Sequence, residues 1–169
     1  MSQSRPAAVV VLAAGAGTRM KSDLPKVLHP LAGRTLLGHA LVAARECEPK
    51  HLVVVVRHQR DAVAAHVEEV FPGTLIADQD EIPGTGRAAE CGLDALPDEV
   101  SGTVLVTYGD VPMLTGATLQ ALVATHEQSG NGATVMTAHV EDPHGYGRIL
   151  RDETARWGRV IAESGVRLD

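Results

Sequence analysis

The sequence predicts an α/β fold with a largely parallel sheet. Three observations carry that expectation. Short apolar runs alternate with amphipathic helical stretches through most of the 169 residues, the pattern of strands joined by crossover helices. The runs are rich in valine, as are strands buried on both faces. Phe71, Tyr108, Tyr146 and Trp157 are the only aromatic residues, so the core must be built from Val, Leu, Ile and Ala. The length suits one domain with a sizeable core.

Each element follows from its local pattern. Residues 7–14, AAVVVLAA, end at Gly15 and read as a buried strand. A loop rich in Gly, Pro and basic residues runs over 15–30. Leu36, Leu37, Ala40, Leu41 and Ala44 form a helical stripe over 35–46, with Thr35 as its N-cap. Residues 51–56 hold VVVV, a second buried strand. Val63, His66, Val67 and Val70 share one face of a helix over 61–70. A short strand is expected at 74–77, a loop at 79–86 and a short helix at 87–95. The run TVLVT at 103–107 is the next strand, followed by a loop at 108–116. Leu119, Leu122 and Val123 should face inward from a helix over 117–127. After a turn at 129–132, residues 133–140 read as a strand. Residues 148–151 and 159–163 suggest a hairpin, and the pattern fades from Asp152.

Composition excludes several classes. The net charge of −6 argues against a general nucleic-acid or membrane-surface binder, which needs a basic excess. No apolar run approaches a membrane span, and residues 1–8 show no signal-peptide pattern. Cys47 and Cys91 have no CxxC partner, so they read as free thiols acting as small hydrophobes. The eight histidines show no zinc spacing,. A cytoplasmic protein is expected, with no nucleic-acid or membrane partner; the sequence leaves its oligomeric state open.

In parallel α/β sheets, ligands bind beyond the carboxyl ends of strands. Three loops fall there: 15–30, 79–86 and 108–114. The first follows Leu12-Ala-Ala-Gly-Ala-Gly-Thr-Arg-Met20 and contains Asp23-Leu-Pro-Lys26. Met20 stands before Lys21-Ser22, so it is not a Walker A loop. Met20 also replaces the third glycine of a dinucleotide fingerprint. What remains is a small-residue loop with Arg19 and Lys26. An Arg forks onto two phosphate oxygens and a Lys acts as a point charge. Taken alone, these residues fit a triphosphate cradle and an ordinary turn with solvated cations equally well.

Together the motifs are more specific. The first loop, Gln79 with Pro83-Gly-Thr-Gly86, Tyr108-Gly-Asp-Val-Pro112 and Asp142-Pro-His-Gly-Tyr-Gly-Arg-Ile149 resemble the sugar-phosphate nucleotidyltransferases. Within them, the set is most similar to the uridyltransferase domains of the bacterial bifunctional N-acetylglucosamine-1-phosphate uridyltransferase/glucosamine-1-phosphate acetyltransferases. The match runs from about residue 7 to about residue 150. The resemblance implies a Rossmann-like, GT-A-like three-layer fold with a mainly parallel mixed sheet. It implies that Leu12, Ala13, Ala14 and Gly15 line the nucleotide site through the backbone. Arg19 and Lys26 would hold the triphosphate and stabilise the transition state. Gln79, Gly84 and Thr85 would contact uracil. Tyr108 and Gly109 would shape the floor, and Asp110 would hold Mg²⁺. Gly147 and Glu163 would contact the N-acetylglucosamine part. The implied substrates are UTP and a sugar 1-phosphate, and the product is a peptidoglycan precursor, UDP-N-acetylglucosamine.

The resemblance breaks near the end. Residues 159–163 can be laid on the family's Glu-bearing strand, but Ser164 onward cannot. One nucleotidyltransferase domain with its C-terminal part missing and a divergent tail at 152–169 is therefore expected. No hexapeptide repeat occurs, so acetyltransferase activity is not expected. Two alternatives stay open. A guanylyl- or cytidylyltransferase shares the first loop and the later Pro-Lys, although Val-Leu-His at 27–29 and Gly-Tyr-Gly-Arg at 145–148 favour the uridylyl reading. A non-catalytic nucleotide-binding module is the reading from another class.

Overall fold

A run of apolar residues with no helical period can only be strand if both its faces are covered, and the first run meets that condition. In the computed structural model, which describes residues 5–142 and 144 and Arg19 by its backbone, Ala8–Leu12 forms β1, buried along its whole length. Two single 3-10 turns follow, Thr18–Met20 and Lys26–Leu28. A small hairpin, β2 (Pro30–Leu31) and β3 (Arg34–Thr35), leads into α1 (Leu36–Glu46). Then come β4 (His51–Val56), α2 (Arg60–Val70), β5 (Leu75–Asp78), α3 (Thr85–Asp94), β6 (Val104–Tyr108) and α4 (Gly116–Ser129).

The four long-range strands form one parallel sheet in the order β5-β4-β1-β6. Val9 stands opposite Leu52 on one side and Leu105 on the other. Side chains alternate across β1, so the strand serves two cores. Val9 and Val11 pack with Leu37 and Leu41 of α1, Val63 and Val67 of α2, and Leu119 and Val123 of α4. Val10 and Leu12 pack with Val53, Val55, Ala88 and Cys91, under α3. The result is three layers. From β1 the chain steps outward to β4 and β5, then returns to β1's other side as β6. The switch point therefore lies at the carboxyl ends of β1 and β6, where such sheets bind ligands.

Local chemistry sets the element ends. Thr35 caps α1 as expected: its hydroxyl oxygen accepts from the Gly38 N–H at 2.9 Å. His66, half-buried on α2, lies 2.7 Å from the same hydroxyl. Helix α3 begins two residues before its expected start, drawing Thr85 and Gly86 out of the preceding loop. The β2–β3 hairpin was not expected, because its turn, Ala32-Gly33, puts an alanine at a φ of 49°, a region that usually signals Gly, Asn or Asp. Val70, expected on the inner face of α2, is exposed at the helix end.

Cys47 and Cys91 are free and buried. Burial, with Glu46 alongside, pushes the Cys47 thiol up to about 11. Both cysteines are core residues.

The chain divides into two compact units, Met1–Thr134 and Val135–Asp169. All the elements above belong to the first. In the second, residues 135–142 and 144 are described. The strand expected over 133–140 is not found. Those residues form no ladder with any described residue, and Val135, Met136 and Val140 are exposed. Alternation makes a strand only where a neighbour takes up the backbone N–H and C=O groups. The hairpin expected at 148–151 and 159–163, and Trp157, lie outside the described residues.

Candidate active site

At the switch point the first unit opens a cleft of about 620 Å³. Its walls come from four strand ends. From β1 come Leu12, Ala13, Ala14 and Gly15; from the 3-10 turn region, Lys26; from β5 and α3, Gln79, Gly84 and Thr85; from β6, Tyr108 and Asp110. Arg57 and His58 follow β4 and complete the wall.

The loop after β1 is held by its own backbone. Ala13 donates to the Val55 carbonyl at 2.8 Å, which fixes where β1 stops. Among the described residues, the N–H groups of Ala14, Gly15 and Ala16 find no acceptor. Three successive open donors beside a cleft suit an anion. Gly17 then turns the chain at a φ of 63°, and a Cβ there would lie 2.6 Å from the Cβ of Lys26. Only glycine lets the two arms of the loop close this tightly. Arg19 is the middle residue of the following turn. Val27, beside Lys26, is buried and pins the returning arm to the core.

Lys26 and Asp110 meet across the switch point. The ammonium donates to the Asp110 carboxylate at 2.6 Å, with each side chain about one-third exposed. The Gly109 N–H donates to the Leu12 carbonyl at 2.9 Å, so the loops after β1 and β6 are joined at the backbone as well. Among the described residues no group of three or more acidic, His or Cys side chains forms a metal cage. Among the described residues, Asp110 is the single carboxylate in the cleft wall.

The third part is the loop between β5 and α3. The Gln79 N–H donates to the Val56 carbonyl at 2.9 Å. Its side-chain amide nitrogen donates to the carbonyls of Ile82 and Gly84, at 3.0 and 3.2 Å. Among the described residues, its amide oxygen accepts no hydrogen bond. Gly84, at a φ of 123°, opens α3 without a side-chain cap, so the first N–H groups of that helix are presented at the cleft. Arg87 donates twice to one oxygen of Asp80, at 2.7 and 2.9 Å, and once to Glu90 at 3.0 Å. The Arg87 hydrogen bonds hold the Asp80 carboxyl below its usual range.

Residues 9–167 match the family described as the MobA-like NTP transferase domain. The chain belongs to that family. Among curated relatives of this NTP transferase chain is the bifunctional protein GlmU of Kineococcus radiotolerans, 62% identical over 155 residues, which are 92% of this chain and 32% of the relative. GlmU of Micrococcus luteus is 60% identical over 168 residues, covering 95% of this chain and 34% of that one. The chain thus spans about a third of the length of these relatives. Among solved structures, a Mycobacterium tuberculosis protein in complex with manganese aligns with a TM-score of 0.58 and 26% identity. That alignment covers 72% of this chain and 59% of the other. The α/β fold with a mainly parallel sheet is that of the Rossmann-like nucleotidyltransferases.

The fold of this NTP transferase domain brings the candidate residues of three separate loops to one cleft. Gly109 stands just behind the wall, tying β6 to β1. Gly147 and Glu163, the expected sugar contacts, lie outside the described residues. Arg57 and His58 were missed. The signal was present, since they follow the VVVV run of β4 at its carboxyl end, where the strand-end rule applies as it does to the other three loops. They belong to no motif.

Proposed function

We propose that the cleft binds UTP and transfers its uridylyl group to a sugar 1-phosphate, N-acetylglucosamine 1-phosphate, releasing pyrophosphate. The observation that carries this reading is the convergence of the glycine loop, Lys26, Gln79 with Gly84-Thr85, and Tyr108 with Asp110 on one cleft. The similarity to the GlmU proteins supports it. The product would be UDP-N-acetylglucosamine, a cell-wall precursor, made in the cytoplasm.

The nucleophile in such a transfer is a phosphate oxygen, already anionic. No general base is required. The protein must align the two phosphates and offset their charge. The open N–H groups of Ala14, Gly15 and Ala16 suit phosphate oxygens, and Lys26 supplies a full positive charge at the loop's return arm. Arg19, in the same loop, is assigned to the same triphosphate. The Gln79 amide oxygen is an acceptor that a uracil N3–H can satisfy, while the Gly84 and Thr85 N–H groups offer donors to its carbonyls. Tyr108 forms the floor.

A carboxylate at a strand end is a hard oxygen ligand, and Mg²⁺ is commonly held by one such group plus phosphate oxygens and waters. Asp110 fits that role and no prebuilt cage is needed. Bound there, the ion would offset charge on the triphosphate. The manganese complex of a structural relative supports a divalent-cation site. The domain assigned to this chemistry is the whole 169-residue chain, with the sugar contacts expected from Gly147 and Glu163.

Pyrophosphate release, measured over a panel of nucleoside triphosphates and sugar 1-phosphates, tests the reading. UTP with N-acetylglucosamine 1-phosphate should give the fastest release. A faster rate with CTP or GTP would overturn it. Asp110→Ala should abolish metal-dependent nucleotide binding in calorimetry. An unchanged metal requirement would remove Asp110 from the site.

A further inference from the structure

The loop between β5 and α3 has little packing to hold it. Residues 80–86 are exposed, and Ile82, its one large apolar residue, is 57% exposed. A segment with so few buried contacts belongs at the low-stability end of a fold. Discrimination between bases needs the opposite, because donors and acceptors must be fixed before the base arrives.

Polar side chains supply the missing rigidity. Two act within the loop: Gln79 donates to Ile82 and Gly84, and the Asp80 carboxylate accepts from the Ile82 N–H at 3.0 Å. One acts from α3, where Arg87 grips Asp80. One reaches in from a neighbouring strand end. Arg57, half-buried in the cleft wall, donates to the Glu81 carbonyl at 3.2 Å. Beside it runs the backbone bond from Gln79 to Val56. Val56 is the last residue of β4 and fully buried, so this pair of contacts fastens the loop to the rigid sheet. Arg57 is the one side chain among the described residues that hydrogen-bonds the loop from another strand. Its long side chain covers that span and ends in a donor, which a short side chain could not do,.

We propose that Arg57 is a specificity-determining positioning residue. Acting through the Glu81 carbonyl, it fixes the base-reading loop so that Gln79, Gly84 and Thr85 meet the base in one arrangement. This rests on the proposal that residues 79–86 read the base. Loss of Arg57 should therefore blur the choice among nucleotides and loosen the loop before any nucleotide binds.

Two measurements on the intact protein test it. Amide hydrogen exchange, followed without nucleotide, should speed up about fivefold over residues 79–85 in Arg57→Ala, the size of one lost hydrogen bond. Calorimetry with UTP and CTP should show the preference between them shrinking by about the same factor. In turnover the loss should fall on KM more than on kcat. Arg57→Lys, which keeps one donor, should recover part of both effects. Unchanged exchange in the loop overturns the proposal, as does an unchanged nucleotide preference. The base assignment fails separately, on the parent protein: a parent that prefers CTP or GTP removes uracil, and Arg57→Ala must then narrow that preference instead. A parent with no preference overturns both.

Discussion

The two loops that face each other across the cleft are built by different means. The loop after β1 is held by backbone and packing. Gly17 lets its arms close, two 3-10 turns shape it, and buried Val27 anchors it. The loop after β5 is held by replaceable side chains, Gln79, Asp80, Arg87 and Arg57, on an exposed backbone. The difference fits the tasks proposed for them, holding phosphates and reading the base. Phosphates are the same in every nucleoside triphosphate, so the part that meets them can be fixed in the main chain. Bases differ, and the part that reads them is adjusted one side chain at a time.

The largest break should come from the first loop. Lys26→Ala removes a cation from the cleft and leaves Asp110 without its partner. Turnover should fall by about 10² to 10³, a loss of about 3–4 kcal/mol in transition-state stabilisation. Steady-state pyrophosphate release measures it, and a smaller effect than that of any base-loop variant would invert the comparison. Gly17→Ala should come next. It places a Cβ against Lys26 at a positive φ and should cost about 1–2 kcal/mol of stability. Thermal unfolding reads this, and an unchanged midpoint would show that the loop yields.

Base-loop variants should act on selectivity and leave stability nearly untouched. Arg87→Ala breaks an exposed ion pair, and pairs of that kind contribute little to folding,. The expected outcome is an unchanged unfolding midpoint with a lower UTP-to-CTP preference; a drop in midpoint comparable to that of Gly17→Ala would erase the distinction. The smallest effect concerns pH. Because the Asp80 carboxyl is depressed by Arg87, its contribution is present above the ordinary carboxylate range and is lost as pH falls through the lowered value. Protection of the loop amides should stay level from neutral pH down to about 5. A loss of protection within that window would show that the pair does not hold the loop.

Much of this was legible in the sequence. The valine runs of β1 and β4 admit no reading but buried strand, and Thr35 lies where a hydroxyl must cap the helix that follows. The glycine loop, Gln79 with Gly84-Thr85, and Tyr108 with Asp110 stood out as a set, through their resemblance to the sugar-phosphate nucleotidyltransferases. Arg57 and Arg87 did not stand out. Their partners, Glu81 and Asp80, become neighbours only after β4, β5 and α3 have packed, and no spacing announces that. The strand expected at 133–140 failed for a related reason. Its alternation describes a residue pattern, whereas a strand also needs a partner, which is a property of the fold.

The placing of β1 has a consequence for how the molecule comes into being. This strand precedes the other described strands in the chain, yet it is the inner strand between β4 and β6. Its second edge stays bare until β6, far along the chain, arrives to pair with it. Such distant parallel pairing makes folding slow. The Lys26–Asp110 contact spans that same seam, so this half of the cleft closes only once β6 has paired. A nascent chain stopped short of β6 would own the glycine loop without owning a site.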